Sequence, residues 1–401
     1  MRGTLVRASW RYDPALYAPP RYRRACRYDA FIPDPLAGLA PAIPSEVAAV
    51  ISDAEGLIGR LNAKAVPALF PLARLLLRTE SIASSKVEGM QVDARALARA
   101  EVAQDAGRTV GPEAAEIIAN IDATQFAIET AASARKLRTD NLTGIHRVLL
   151  ERAPNRTTAG QLRREQNWIG GNNYNPCGAD FVPPPYVEVP RLMNDLCSFC
   201  NREDLPPLVQ AALAHAQFET VHPFEDGNGR TGRALVQVIL RRRGIAHSFV
   251  PPISVVFARN KRRYIDGLAL FRNDDLAGWL EVFASAAGQA AVMASGYIES
   301  VAALQEEWRR RLRNLPSSPR SDAAAWAIID VLPGHPVITV AVGVATTRRT
   351  KPAVNNAMRE LADVGVLKPV SDSPRNRAWE ADGLFDLVAE MDAGRGPARR
   401  A

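Results

Sequence analysis

His222-Pro223-Phe224-Glu225-Asp226-Gly227-Asn228-Gly229-Arg230-Thr231-Gly232-Arg233 runs directly into Ala234-Leu235-Val236-Gln237-Val238-Ile239-Leu240. The first stretch is rich in glycine and charge and the second is apolar, so together they read as a loop that caps a helix. The glycines and Asn228 let the backbone curl until successive N–H groups point inward, which makes an anion-binding nest. The amides at the start of the following helix and its positive dipole end favour phosphate at the same place. Arg230 and Arg233 lie three apart on one helix face and can clamp two phosphates. Asp226 offers a hard oxygen to Mg2+, which in phosphate sites needs only one or two carboxylates. His222, just outside the nest, can take a proton from an incoming hydroxyl. So much chemistry in so short a stretch sets it apart from an ordinary glycine-rich turn.

Outward from this loop the chain reads as helical. From Pro44 to about Gly89 apolar residues recur at three- and four-residue spacing, through Leu57 and Leu61 and then Leu72, Leu75, Leu76 and Ile82. Ser45 is an N-cap with Glu46 behind it, and Gly89 is a stop signal after Glu88. Further helices are read over 113–133, 139–150, 187–200, 208–220 and from Arg230 to Gly244. Strand signals are nearly absent from the first 300 residues, and the first forty, rich in Pro, Tyr and Arg, read as an extended arm. The segment 164–185 breaks the helical pattern with dense Gly, Asn and Pro. An irregular segment inside a helical domain is the kind that carries function.

The chain has 401 residues, 47% hydrophobic and 23% charged, which is ordinary globular composition with length for two or three domains. With no run of about 18 apolar residues we expect no membrane-spanning helix and no membrane partner. No apolar stretch follows Met1-Arg2-Gly3, so no secretory signal is read. Four cysteines do not amount to a disulfide framework. Cys197 and Cys200 read as reduced, partly buried helix residues, and a reducing, cytoplasmic location is expected. The net charge of +7 favours phosphate partners without choosing among them. Its clusters at Arg241–Arg243, Lys261–Arg263 and Arg309–Arg311 read as solvated helix ends.

The 222–233 stretch resembles the signature of the Fic family, HxFx(D/E)GNGRxxR, and meets each fixed position. The resemblance implies a mainly α fold: a Fic-type helical bundle with a small β-hairpin flap, here followed by a C-terminal winged helix-turn-helix domain. It implies an enzyme that moves AMP from ATP to a Ser, Thr or Tyr hydroxyl of a protein, with Mg2+ as cofactor. His222 is then the catalytic base and Asp226 the metal ligand. Gly227, Asn228, Gly229, Arg230, Thr231, Gly232 and Arg233 join His222 around ATP, while Phe224 anchors the loop and Glu225 is a structural filler. Trp168, Ile169, Gly170 and Gly171, with 179–185, resemble the family's flap, which docks the target peptide as an added strand. Tyr264 falls where the family lines its adenine pocket, and a tyrosine on an amphipathic helix also fits a core position. His146 and His215 read as core or surface residues.

Ser84-Ser85-Lys86-Val87-Glu88-Gly89 fits the family's inhibitory pattern, [ST]xxxE[GN]. A glutamate paired with Arg233 occupies the cation that the ATP γ-phosphate needs, so Glu88 is read as a brake at the edge of the ATP site. In some members the same glutamate helps remove AMP, and both directions stay open here. The domains are read as an arm over 1–40, a helical region with the inhibitory motif over 41–115, and a catalytic core over 116–300. A linker helix over 301–320 and a winged helix over 321–395 complete the chain. In the last, Thr347, Arg348, Arg349, Lys351, Asn355, Asn356 and Arg359 gather near the recognition helix, as a DNA-contacting face does. Winged helices also dock proteins and dimerise, so DNA and a homodimer are both admitted. A UTP, CDP-choline or phosphate donor, and a nucleotide-sensing transcriptional regulator, are the rival readings.

Overall fold

The computed structural model describes residues 3–15, 17–65, 70–105, 107–317, 319–370 and 377–393. Helices follow in the order α1 (Ser45–Ala63), α2 (Phe70–Val87), α3 (Ala94–Asp105), α4 (Pro112–Phe126), α5 (Thr139–Leu150), α6 (Val189–Cys200), α7 (Pro207–Val221) and α8 (Asn228–Arg242). After these come α9 (Ile253–Arg259), α10 (Lys261–Arg272), α11 (Leu276–Arg313), α12 (Ala324–Val331), α13 (Val340–Thr347), α14 (Lys351–Asp363) and α15 (Leu384–Asp392). Two compact units form: Met1–Asp53 with Asp122–Gly244 and Lys261–Ser285, and Ala54–Ile121 with Ile245–Asn260 and Ala286–Ala401.

The first unit opens on an element that the sequence reading lacks. β1 (Gly3–Trp10) pairs antiparallel with β2 (Cys26–Pro33), Gly3 opposite Pro33 and Trp10 opposite Cys26. Most of β1 is exposed, including Leu5 and Val6, so no clean apolar–polar alternation marks it as a strand. The hairpin is fastened to segment 164–185. Phe31 N–H donates to the Val182 carbonyl at 2.9 Å, Tyr22 stacks on Tyr174 at 5.2 Å, and Trp10 meets Trp168 edge-on at 5.5 Å. A Cys26–Cys177 disulfide, spanning 151 residues of sequence, closes the same junction. The four cysteines read as no disulfide framework, and that reading does not foresee this single bridge; nothing local in the sequence pairs two residues so far apart. Cys197 and Cys200 are free and buried, as expected, and burial pushes the Cys197 thiol up to about 11.

At the centre of this unit α7 is buried at every position from Leu208 to Val221. An apolar helix with no polar stripe belongs in the middle of a bundle, and Pro206-Pro207 start it because a helix can spare the N–H that proline lacks. α8 packs along α7, and Gly232 allows it: a Cβ there would meet Glu219 Oε1 at 2.4 Å and Phe218 Cδ1 at 3.0 Å. At the end of α8, Arg242 donates to the Ala134 carbonyl and Arg243 to Gln210 Oε1 at 2.8 Å. That cluster braces the fold, where a solvated helix end was expected.

In the second unit α2 is fixed by buried polar contacts. Glu80 accepts the Ser254 N–H at 2.8 Å and its hydroxyl at 2.6 Å, a carboxylate on the positive end of α9. Asn120 of α4 donates to the Ser81 carbonyl at 2.7 Å and Ser85 Oγ at 3.1 Å. The C-terminal module has α12–α14 and a three-stranded antiparallel sheet, β3 (Val337–Thr339), β4 (Leu367–Pro369) and β5 (Ala378–Ala381), in the order β3-β5-β4. Residues 371–376, where the winged-helix reading puts a turn between two strands, lie outside the described residues. Val337, Ala378 and Phe385 share a cluster with Ala98 of α3, and the Trp308 indole donates to the Asp382 carbonyl at 3.1 Å. The module therefore shares core with its neighbours. The expected linker helix is the end of α11, whose 38 residues run unbroken. By length and composition alone α11 could cross a membrane, but half of its most apolar window is buried inside the protein.

Opening the disulfide frees the N-terminal hairpin. Reduction, or Cys26→Ser, is expected to lower the local stability of β2 by about 2–4 kcal/mol, read as faster amide hydrogen exchange over 26–33. Unchanged exchange after reduction contradicts the hairpin's dependence on this link.

Candidate functional site

α7 stops at His222, whose N–H donates to the Phe218 carbonyl at 2.9 Å while its own backbone turns left-handed, φ 48° and ψ 61°. Proline at 223 cannot continue the helix. Phe224 is fully buried, its ring parallel to that of His146 at 3.8 Å and tilted against Phe218 at 6.1 Å. Asn228 then closes the loop on itself. Its Oδ1 accepts the Phe224 N–H and its Nδ2 donates to the Phe224 carbonyl, both at 2.9 Å.

Gly227 caps α8 at φ 73°, and a Cβ there would press on Leu149 at 3.0 Å. The first i→i−4 bond of α8 runs from Thr231 N–H to the Gly227 carbonyl, 3.0 Å. The amides of Asn228, Gly229 and Arg230 precede it, in the turn where helical N–H groups have no helical acceptor. Asp226 is exposed beside them. Its Oδ1 accepts the Gly227 N–H at 2.6 Å, and its Oδ2 accepts from Asn155 Nδ2 at 3.0 Å and faces the Arg230 guanidinium at 3.6 Å. Glu225 is exposed as well.

Arg230 and Arg233 are both buried. The charge of Arg233, second to burial, helps pull the pKa of His215 down to about 3, so that ring is neutral at physiological pH. Thr231 is fully buried with its N–H spent on the helix, and Gly232 faces α7. These two residues therefore also serve the packing of α8. Tyr264 is likewise 3% exposed, its hydroxyl 2.9 Å from His215 Nε2, which is the core alternative of the sequence reading.

In the flap, Ile169 pairs with Phe181, with Ile169 N–H donating to the Phe181 carbonyl at 2.8 Å. Gly170 and Gly171 sit at φ 74° and 72°, and a Cβ on Gly170 would fall 1.9 Å from Asp180 Oδ2, so another residue there would be strained in its backbone and would have to displace the Asp180 side chain. The Trp168 indole donates to the Asn172 carbonyl at 2.5 Å. In the second unit, Glu88 is exposed immediately past α2, and Gly89 at φ 94° closes the turn.

Two holders of the loop escape sequence reading. His146 Nδ1 accepts the Gly160 N–H at 2.9 Å, so the ring proton sits on Nε2, 3.0 Å from the Asp226 carbonyl; burial pulls its pKa down to about 4 and keeps it neutral. Asn167 Nδ2 donates to the carbonyls of Phe224 at 3.0 Å and His222 at 3.3 Å. In sequence the first is a histidine on an amphipathic helix and the second one asparagine among several.

A family profile described as Fic/DOC family matches residues 136–240, and one described as Fic/DOC family N-terminal matches 49–129. The chain carries a Fic/DOC domain. Among relatives, a protein adenylyltransferase Fic of Aedes aegypti is 31% identical over 128 residues, 31% of this chain and 23% of that protein. A protein of Aquifex aeolicus named probable protein adenylyltransferase is 38% identical over 92 residues, 23% of this chain and 26% of its own length. The chain thus spans about a quarter of the relatives it matches. In fold it is similar to a Fic family protein of Desulfovibrio desulfuricans, TM-score 0.52 and 21% identity, covering 86% of this chain and 98% of that one. It is similar also to Fic-1 of C. elegans, TM-score 0.52 and 20% identity, over 64% and 74%. The helical Fic fold with few, small strands is what the sequence led us to expect.

Gly232→Ala forces a methyl against Glu219 and Phe218 and spreads α7 from α8. We expect a loss of roughly 1–3 kcal/mol, the usual cost of overpacking, measured by denaturant unfolding. An unchanged midpoint contradicts the close approach of the two helices.

Proposed function

We propose that the Fic domain transfers AMP from ATP to a Ser, Thr or Tyr hydroxyl of a protein. The observation that carries this reading is the loop 222–230, which holds a histidine at the end of α7 and a nest at the start of α8, only a few residues apart. The names of the relatives, protein adenylyltransferase, favour the same reaction. His222 takes the hydroxyl proton as the oxygen attacks the α-phosphorus; the bond to pyrophosphate breaks and pyrophosphate leaves. The first-turn amides of α8, with Arg230 and Arg233, receive the phosphates. Among the described residues no three acidic, His or Cys side chains cluster as a metal site. The exposed Asp226 carboxylate beside the nest nonetheless fits Mg2+ arriving on the triphosphate. The ion's part is to neutralise charge on the phosphates and the leaving group.

Regulation and partners belong to the same proposal. Glu88 competes with the γ-phosphate for Arg233 and brakes transfer, while auto-modification and removal of AMP both stay open. The flap edge at Trp168–Gly171 takes the target as an added strand. The three-helix, three-strand module supports a winged-helix reading, and its exposed Arg348, Arg349, Lys351 and Arg359 suit DNA, with homodimerisation as the other use. A cytoplasmic location is kept, and a reducing compartment there would favour the open form of Cys26–Cys177.

His222→Ala is expected to lower transfer on the order of 10²–10⁴-fold, the usual share of a general base, while ATP affinity by calorimetry stays near the starting value. A folded His222→Ala protein with undiminished transfer sinks the assignment.

Glu88→Gly is expected to raise auto-modification about tenfold or more, a gain corresponding to 1.4 kcal/mol per factor of ten. Adding Arg233→Ala should cancel the gain. Wild-type rates in Glu88→Gly move the brake elsewhere.

A further inference from the structure

Arg163 stands just before the flap and is 3% exposed. Its Nε donates to the His222 carbonyl at 2.8 Å, and its Nη2 to the Pro184 carbonyl at 2.6 Å and, more weakly, the Val221 carbonyl at 3.4 Å. Nη1 donates to the Glu165 carbonyl at 2.9 Å, and the Arg163 N–H itself to the Pro223 carbonyl at 2.9 Å. Two of the guanidinium's four acceptors, Val221 and His222, end α7, where carbonyls lack helical partners and the dipole is negative. The other two, Glu165 and Pro184, lie on the two legs of the flap. One cation therefore ties the end of the helix that carries the base to both legs of the segment that flanks it. Burial lowers the guanidinium pKa to about 10, with Tyr28 opposing, so the group stays charged at neutral pH.

What it holds is costly to hold. His222 is one of three non-glycine residues at positive φ among the described residues, a conformation that L-residues avoid and that persists only where the surroundings impose it. The peptide on its N-terminal side is fixed by the Phe218 carbonyl, and its own carbonyl by Arg163 at 2.8 Å and Asn167 at 3.3 Å. The Arg163 bond is the shorter of the two and is charge-assisted, the stronger class. Without it the carbonyl of residue 222 is free to swing, φ can return to negative values, and the Cβ–imidazole vector turns with it.

We propose that Arg163 is a positioning residue for His222: it imposes the left-handed turn, and so sets where the imidazole points and how far the flap stands from it. The proposal rests on the reading of His222 as the base. The hydrogen-bond acceptors of Arg163 lie at residues 165, 184 and 221–223, outside the first turn of α8 and its two arginines. Its loss should therefore affect turnover and not nucleotide binding.

The test uses the full chain with Arg163→Met and Arg163→Lys, read by AMP-transfer kinetics, ATP calorimetry and a crystal structure of each variant. For Arg163→Met we expect kcat to fall about 10²-fold, within the range a displaced base costs, with ATP affinity unchanged and residue 222 at negative φ. Arg163→Lys, which keeps the charge and one donor for the His222 carbonyl, should recover part of kcat. If Arg163→Met does not fold, Arg163→Lys must show the same split at smaller size. Retention of the left-handed turn with full kcat overturns the proposal, as does a loss of ATP affinity equal to the loss of kcat in Arg163→Lys. Should the unaltered chain transfer no AMP, the functional reading fails, and the backbone of residue 222 alone decides the role of Arg163: a left-handed turn kept without the guanidinium overturns it.

Discussion

The left-handed turn at His222 is the constraint on which the site depends. A helix that ended in a wider loop would leave its last residue far from the next helix. Here one residue at φ 48° and a following proline reverse the chain at once, and Gly227 at φ 73° starts α8 soon after. The negative end of one helix and the positive end of the next are thereby brought into one short loop. A histidine closes the first and open amides begin the second, which is an arrangement for a base beside a phosphate. The reversal also demands that α7 and α8 run close together, and Gly232 supplies that closeness.

Such a turn cannot stand by itself, and the fold spends several buried polar groups on it. Phe224 fills the space under the loop between two rings, Asn228 spans the loop from within, and His146 and Asn167 hold its carbonyls from α5 and from the flap root. Phe224, Asn228 and Asn167 carry no charge, and burial keeps His146 neutral at physiological pH. The flap is supported in turn by the N-terminal hairpin through a disulfide, three ring pairs and a strand-like hydrogen bond. Pre-organisation of this kind is how a site keeps its geometry before substrate arrives.

Much of this was legible because it is local. The helix read over 139–150 is α5 to the residue, and the loop and helix of 222–240 announce themselves through glycine, charge and an apolar run in sequence. The irregular flap was legible from composition alone. What stayed hidden is long-range or two-sided. β1 and β2 lie on a half-exposed hairpin without clear alternation, and Cys26 meets Cys177 across 151 residues. His146 and Asn167 act through backbone carbonyls that no side-chain pattern encodes. For Tyr264 the sequence admits a ligand or a core position, and the contact of its hydroxyl with His215 across 49 residues is likewise invisible to a local pattern.

The most direct measurement is to incubate the full chain, with ATP and Mg2+, using label on the α-phosphate in one sample and on the γ-phosphate in another. AMP transfer predicts that the α-label becomes covalently attached to protein while the γ-label leaves as pyrophosphate, and that both fall on the order of 10²–10⁴-fold in His222→Ala. Attachment of the γ-label, or attachment of α-label that is indifferent to His222, contradicts it.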